Sequence, residues 1–597
     1  MPDVPPLGAT VEPGSDGVRF WLFAEPARSC AVRLFDAGGE ALATHPMQAS
    51  APGYFTAEVA GIGHGALYQF VVDGRELPDP FARFLPRGVH GPAMVVVPSH
   101  RWRHGRGVEV APGDQVIYEL HVGTFTPEGT YAGVAGRLPE LASLGVTTIE
   151  LMPIAAFPGR RGWGYEGVAL YAPFAPYGTP DELRALIDQA HGLGLSMLLD
   201  VVYNHFGPCG NYLSAFSADL FSQELRNAWG QAPNYAHPVM RRLLLDNARY
   251  WLDELRFDGL RLDATHALLD PSPRHFLTDL VDLAASLRPR KQLIAEDDRN
   301  EAALLTRDGL DALWADDFHH AVRVTVTGER DGYYAAYQPG AREVAETIDQ
   351  GWRYHGQVYP TTGKRRGTSA ASIPASALVY CIQNHDQIGN RAFGDRLHHA
   401  ISPEMYRAVS MLLLFLPMTP LLFMGQEWAA SSPFLFFTDH DEELGRKVCE
   451  GRRAEFQGFT AFADPSLRTS IPDPQDPDTF RRSGLDWEER SQGEHARALD
   501  LYRALLRLRR SDPVLRGSAR EGLSARAAGE VLIVRRASDS GARQLLLNFG
   551  DAPVAYADLP ATTEGTTLLL DSEGRSERGS LLAPRQAVIL AEQDPPP

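Results

Sequence analysis

The sequence predicts an α/β protein in which a closed eight-stranded (β/α)8 TIM barrel is flanked by an N-terminal and a C-terminal β-sandwich domain. Three observations predict it. Eight apolar, strand-like runs alternate with helical patterns over about 400 residues of the middle of the chain. Both ends read instead as short strands with turn signals between them. Four of the eight runs finish on clusters of acidic and polar residues, as the C-terminal rim of a barrel does.

The first hundred residues hold the strand-like runs VRFWLF and CAVRLF, separated by Glu25-Pro26, and then GYFTAEVAG and ALYQFVVDG. Alternating apolar residues with glycine close behind indicate a sandwich. The proline-rich stretch PDPFARFLPRGVHGP (78–92) leads out of it.

From about Asp114 the runs become continuously apolar. They are QVIYELHV (115–122), VTTIELMP (146–153), SMLLDVVYN (196–204), FDGLRLDA (257–264), QLIAED (292–297), ALWADDF (312–318), ALVYCIQN (377–384) and PLLFMGQE (420–427). Such runs suit a parallel sheet covered on both faces. A helix is expected at TPDELRALIDQAHGLG, with Thr179 as cap and Pro180 in the first turn. Eight βα units need about 250 residues, so long insertions are expected, at 206–240, 325–372 and 431–490, each behind the C-terminal end of a strand.

The last 85 or so residues return to short strands in GEVLIVRRAS, RQLLLNFG, TTLLLDSEG and APRQAVILAE, with a frayed DPPP tail. The expected domains are therefore 1–100, 101–515 and 516–597. The net charge of −18 argues against nucleic acid, which a basic surface would bind. Four scattered cysteines without a CxxC pair read as reduced thiols rather than a disulfide or zinc framework. MPDVPPLGATVEPGSDG lacks the apolar segment of a signal peptide, and MLLLFLP is too short to span a bilayer. A soluble cytoplasmic protein with no membrane partner is expected.

The four strand-end clusters are Asp200-Val-Val-Tyr203-Asn204-His205, Arg261-Leu-Asp263-Ala-Thr-His266, Ala295-Glu296-Asp297-Asp298 and Gln383-Asn384-His385-Asp386-Gln387. Carboxylates at successive strand mouths converge on the barrel axis. The spacing assigns Asp263 to strand four, Glu296 to strand five and Asp386 to strand seven. Crowding like charges raises the pKa of one of them, so that it keeps its proton at neutral pH. Glycoside cleavage needs that split, with an ionised carboxylate beside the anomeric carbon and a protonated one at the leaving oxygen. Arg261 lies two residues before Asp263, on the same face of the strand, where a guanidinium keeps Asp263 ionised. Taken singly, an Asp at a strand end is usually a loop cap or a salt-bridge partner and Asn-His-Asp usually a turn, and holding Arg261 would satisfy Asp200 without chemistry.

At these residues the chain resembles the α-amylase superfamily of glycoside hydrolases (glycoside hydrolase family 13). DVVYNH (200–205), GLRLDATH (259–266), IAED (294–297) and QNHD (383–386) are similar to its four signature segments, in order. The resemblance implies Asp263 as nucleophile, Glu296 as general acid/base and Asp386 as the carboxylate that binds sugar hydroxyls. It implies sugar contacts from His205 and His385 and a stacking platform in Tyr165. Arg261, Asp200, Trp163, Asn384 and Gln387 complete the expected substrate-binding set. Trp163 is equally readable as a packed core residue.

YELHVGTFTPEGTY (118–131) and 78–92 resemble two groups within that superfamily, glycogen branching enzymes and maltooligosyltrehalose trehalohydrolases. ALWADDFHHAVRVTVTGERDGYY (312–334), QNHDQIGNRAFGDRL (383–397) and CEGRRAEFQGF (449–459) resemble the trehalohydrolases specifically. That resemblance implies hydrolysis of the α-1,4 bond next to the terminal trehalose of a maltooligosyltrehalose, a substrate supplied by a separate synthase. A branching transferase with the same carboxylates, and a non-catalytic glucan-binding protein, are the alternatives. His319-His320 could suggest a metal. Adjacent side chains on an element point apart, and sugar contact on the reducing side is the expectation, with support of the fold as the alternative. No Asp-rich loop of calcium-ligand spacing stands out, so no cofactor or metal is expected.

Overall fold

In a computed structural model, residues 7–12, 14–560 and 565–592 are described; the Asp594–Pro597 tail expected to fray lies outside them. Eight parallel strands close a barrel. They are β1 (Ile117–Leu120), β2 (Thr148–Leu151), β3 (Ser196–Val201), β4 (Gly259–Leu262), β5 (Gln292–Ala295), β6 (Ala312–Trp314), β7 (Leu378–Cys381) and β8 (Thr419–Phe423). Each pairs with the next in chain order, and β8 pairs back to β1.

Side chains alternate across a strand, and the apolar residues sort accordingly. Ile117, Leu198, Ile294, Ala312, Trp314, Val379 and Leu421 form a cluster inside the barrel. Their sequence neighbours Tyr118, Leu199, Leu293, Leu313 and Leu422 join the large core under the helices. The inward parity continues to Glu119, Glu150, Asp200, Arg261, Asp263 and Glu296, which lie two or four residues along, or in register, from these positions. Gly259 opens β4 because a Cβ there would lie 2.4 Å from the Gln292 carbonyl.

The helix expected around 180 runs over Pro180–Gly192 with the Thr179–Glu182 capping box complete. One strand is shorter than expected. In ALWADDF only Ala312–Trp314 is extended, and Asp316 and Asp317 form the first turn of helix Asp316–Thr327. Two acids at a helix N-terminus meet its positive dipole end. The insertion placed at 325–372 therefore begins inside that helix rather than at a strand end, whereas 206–240 follows β3 and 431–490 follows β8.

Before the barrel, a four-stranded sheet (order Gly8–Thr10, Gly17–Phe23, Tyr54–Ala60, Gln48–Ala51) faces a second sheet built on Cys30–Phe35 and Leu67–Val72. Their core of Val18, Phe20, Leu22, Val32, Phe55 and Phe70 extends onto Val168, Ala169 and Phe216 of the barrel's loops. After the barrel, helix Gly493–Ser511 leads to a five-stranded antiparallel sheet (Leu523–Ala528, Val531–Ser538, Gly541–Asn548, Ala587–Glu592, Thr566–Asp571). Leu532, Val534, Leu545 and Leu547 of that sheet share one core with the barrel's helices. Among the described residues no helix is long and apolar enough to cross a membrane.

Candidate active site

Asp263 and Glu296 are the residues immediately after β4 and β5, and Asp386 lies in the short helix His385–Gly389 behind β7. All three line one cleft of about 610 Å³, together with Trp163, Tyr165, His205 and His385. One guanidinium organises two of the acids. Arg261 Nη1 donates to Asp263 Oδ1 at 2.8 Å, and its Nη2 lies 3.8 Å from Glu296 Oε2. Nη1 also donates to both oxygens of Asp200, at 3.0 and 2.9 Å. The guanidinium rests on the Trp314 ring, 4.3 Å from its centroid.

These contacts split the two carboxyls. Burial pushes Asp263 up, but Arg261, His205 and the Asn204 amide (3.0 Å from Oδ2) outweigh it and hold the group below the usual carboxylate range. Glu296 goes the other way. Burial, which Arg261 offsets only in part, and repulsion from Asp263, Asp386 and Asp316 lift it well above its ordinary value. Its Oε2 accepts the N–H of Ala264 at 2.7 Å, which ties it to the residue after Asp263. Ala264 takes φ 41°, ψ 58°, a left-handed conformation that costs a non-glycine residue about 1–2 kcal/mol. That bend brings the N–H of strand four's last turn onto the acid of strand five.

Below the cleft the polar side chains continue inward. Tyr165 donates its hydroxyl to Asp200 Oδ2 at 2.6 Å and meets His385 Nε2 at 2.8 Å, its ring stacked on the imidazole. Glu119 of β1 takes the His385 backbone N–H at 3.0 Å and faces Nδ1 at 2.5 Å. Asp200 is pushed up to about 6, by burial first, against the pull of Arg261. His205 pairs with Asn204 Oδ1, places Nε2 3.0 Å from the Tyr165 carbonyl, and stacks on Trp229 at 4.4 Å.

The remaining expected contacts have structural tasks. Trp163 is buried, gives its indole N–H to the Leu435 carbonyl (3.0 Å) and stacks on Phe434, so only an edge reaches the cleft. Asn384 caps the His385–Gly389 helix by accepting the Gln387 N–H at 2.8 Å. Gln387 is buried and accepts from Tyr333. Neither borders the cleft, and Arg261 and Asp200 lie beneath it. The His319–His320 expectation is corrected. Both are buried, their Nδ1 atoms approach to 3.0 Å, and Tyr333, Tyr334 and Tyr337 pack around them, so neither borders the cleft. A helix places successive residues only about 100° apart, which let the two rings meet. Burial drives His320 down to about 3, so it stays neutral.

Four residues escaped the sequence reading. Glu119 and Glu150 are acids inside otherwise apolar strands, a signal that was present in YELHV and TIELMP. Trp229 stands half-exposed at the cleft, on the insertion behind β3. Arg452 is partly buried in the cleft wall, held by Asn390 Oδ1 (3.0 Å) and the Gly389 carbonyl (2.6 Å) and packed on Phe436 and Phe456. It belongs to CEGRRAEFQGF, but no spacing rule places an insertion's side chains. His266, Asp297 and Asp298 bring metal-type ligand atoms within 4.8 Å of one another. Both oxygens of Asp297 already accept from Arg299, and Oδ2 also from Thr265.

The arrangement supplies one carboxyl held below its ordinary range, one lifted above it and a flanking aromatic surface in one cleft. Comparison with known proteins agrees with it. Residues 77–222 match the alpha amylase catalytic domain, 6–85 match carbohydrate-binding module 48 (isoamylase N-terminal domain), and 519–590 match a domain of unknown function, DUF3459. A malto-oligosyltrehalose trehalohydrolase of Deinococcus radiodurans is 51% identical over 578 residues, 96% of this chain and 94% of its own length. The chain belongs to the malto-oligosyltrehalose trehalohydrolase family. The enzyme of that name from Rhizobium sp. is 42% identical over 90% of the chain and 92% of its own length. A 1,4-alpha-glucan branching enzyme of Leifsonia xyli reaches 31% over only 43% of the chain and 38% of its own length. Among solved structures, one from Salmonella typhimurium assigned as an alpha amylase superposes with TM-score 0.89 at 40% identity, over 98% of this chain and 99% of that one. A pullulanase from Paenibacillus barengoltzii, at 20% identity and TM-score 0.74, covering 99% and 96% of the two chains, shares the fold.

Proposed function

We propose that this protein is a retaining glycosidase that hydrolyses the α-1,4 bond joining a maltooligosaccharide to its terminal trehalose and releases trehalose. The reading rests on one observation: Asp263 and Glu296 meet the same guanidinium at the floor of one cleft, yet their surroundings shift the two carboxyls in opposite directions. Glu296 gives its proton to the leaving oxygen while Asp263 attacks the anomeric carbon. The β-linked glycosyl-enzyme then loses its sugar to a water that Glu296 deprotonates, and two inversions leave an α product. Asp386, tethered by Asn390 at 2.8 Å, faces the same cleft and binds the hydroxyls of the distorted ring. Tyr165, His205 and His385 hold that sugar from below.

Near-full-length similarity to trehalohydrolases supports the choice of substrate, and the branching enzyme matches less than half of the chain. In the cell the protein works after an enzyme that makes maltooligosyltrehalose, in the cytoplasm. The test compares maltotetraosyltrehalose with maltohexaose. Free trehalose is expected from the first, at a kcat/KM at least about tenfold above cleavage of the second, a difference of about 1.4 kcal/mol in transition-state binding. Equal cleavage of both, or an iodine-stain change in amylose without new reducing ends, overturns the assignment.

A further inference from the structure

The buried chain of polar groups beneath the cleft runs through five strands' ends without a break. Glu119 of β1 contacts His385, His385 contacts Tyr165, Tyr165 contacts Asp200 of β3, and Asp200 contacts Arg261 of β4, which reaches Asp263. Counting protons along it fixes a polarity. Tyr165 has one hydroxyl proton, and Asp200 takes it at 2.6 Å. Its oxygen can therefore only accept at His385 Nε2, 2.8 Å away, which requires a proton on Nε2. Glu119 accepts the His385 backbone N–H through Oε2. Its Oε1 then accepts from Nδ1, which requires a second proton on the ring.

We infer that Glu119 is a positioning residue of the active site, which holds His385 as a doubly protonated imidazolium and so sets the direction of every hydrogen bond from β1 to the nucleophile. The inference deepens the glycosidase reading and rests on it for the role of Asp263. Charges alternate along the chain, Glu119 negative, His385 positive, Asp200 negative, Arg261 positive and Asp263 negative, so no like charges are adjacent in it. Glu150 closes the argument. It lies in register beside Glu119, is fully buried, and neither of its carboxyl oxygens has a partner. Burial and repulsion from Glu119 and Asp200 lift it well above its ordinary value. The other groups around His385 are Arg261 and His121, which oppose its charge, Asp386, which favours it, and the Trp163 and Trp314 rings. Glu119 outweighs the burial, and the imidazole is raised above its ordinary value.

The deciding measurement is made on the unmodified enzyme. In protein labelled with 15N-histidine, the His385 ring, assigned by its loss in His385→Ala, is expected to show both nitrogens protonated at pH 7. A neutral ring with a bare nitrogen overturns the inference, whatever the protein's substrate proves to be. In Glu119→Gln the carboxylate is gone while the side-chain shape remains. The alkaline limb of kcat/KM on maltotetraosyltrehalose is expected to move at least one pH unit towards acid, and the ring to lose its second proton. A variant that keeps the wild-type pH profile and a doubly protonated ring also overturns it. If neither maltotetraosyltrehalose nor maltohexaose is cleaved, the glycosidase reading fails, and the ring's protonation still decides the inference.

Discussion

Asp263 and Glu296 carry the same functional group, one residue beyond adjacent strands, and environment alone divides them. Asp263 sits against a cation and an amide donor, Glu296 against carboxylates and one backbone N–H. The active state needs Asp263 ionised and Glu296 protonated. The rate should therefore rise with pH as Asp263 loses its proton, below the usual carboxylate range. It should fall where Glu296 or the His385 imidazolium loses its proton, each above its ordinary value. Asp263→Asn is expected to keep less than a few per cent of trehalose release. Glu296→Gln should lower kcat on glucosidic substrates by about 10²–10⁴-fold, but far less on an α-glucosyl fluoride, whose leaving group needs no proton. A Glu296→Gln loss of equal size on both substrates would remove the general-acid role.

At the scale of elements, the strands set the direction of these side chains and the loops set what surrounds them. Arg261 and Asp263 share a face because β4 is extended, and Gly259 opens that strand where no Cβ fits. The helix Pro180–Gly192 behind β2 starts on a complete capping box, with Glu182 Oε2 accepting the Thr179 N–H at 2.7 Å and Thr179 Oγ1 accepting the Glu182 N–H at 3.3 Å. Thr179→Ala is expected to cost about 1 kcal/mol in urea unfolding, with kcat unchanged because the cap is remote from the cleft lining. The wall formed by helix Glu442–Glu455, which carries Arg452, comes wholly from the insertion behind β8.

Across the whole molecule, the barrel and the C-terminal sheet are welded by buried arginines. Arg407 of helix Pro403–Phe415 binds Glu494 and Glu573 and the Ser572 carbonyl. Arg536 donates to the Phe415 and Val514 carbonyls from the far side. With a shared apolar core as well, the two units should melt together. Arg407→Ala strips the guanidinium from the mostly buried Glu573 and leaves Glu494 with Arg497 alone, and should lower stability by about 1–3 kcal/mol. Differential scanning calorimetry should show one shifted transition. A separate early melt of the C-terminal sheet alone would break the picture of a single cooperative unit.

The eight strands, the two flanking β regions and the four acid-bearing rims were legible in the sequence, because strand periodicity and apolar runs are local properties. The pairing of Arg261 with Asp263 was legible for the same reason, being a separation of two along one strand. Glu119 acts on His385, 266 residues away, through a contact that only barrel closure creates. Trp229 and Arg452 reach the cleft from insertions whose paths no period describes, and His319 and His320 turned inward because a helix, not a strand, follows Trp314. Local pattern thus determined which residue types stand at the barrel's rim. The upward shift of Glu296 was decided by neighbours distant in sequence, because charge and desolvation act through space.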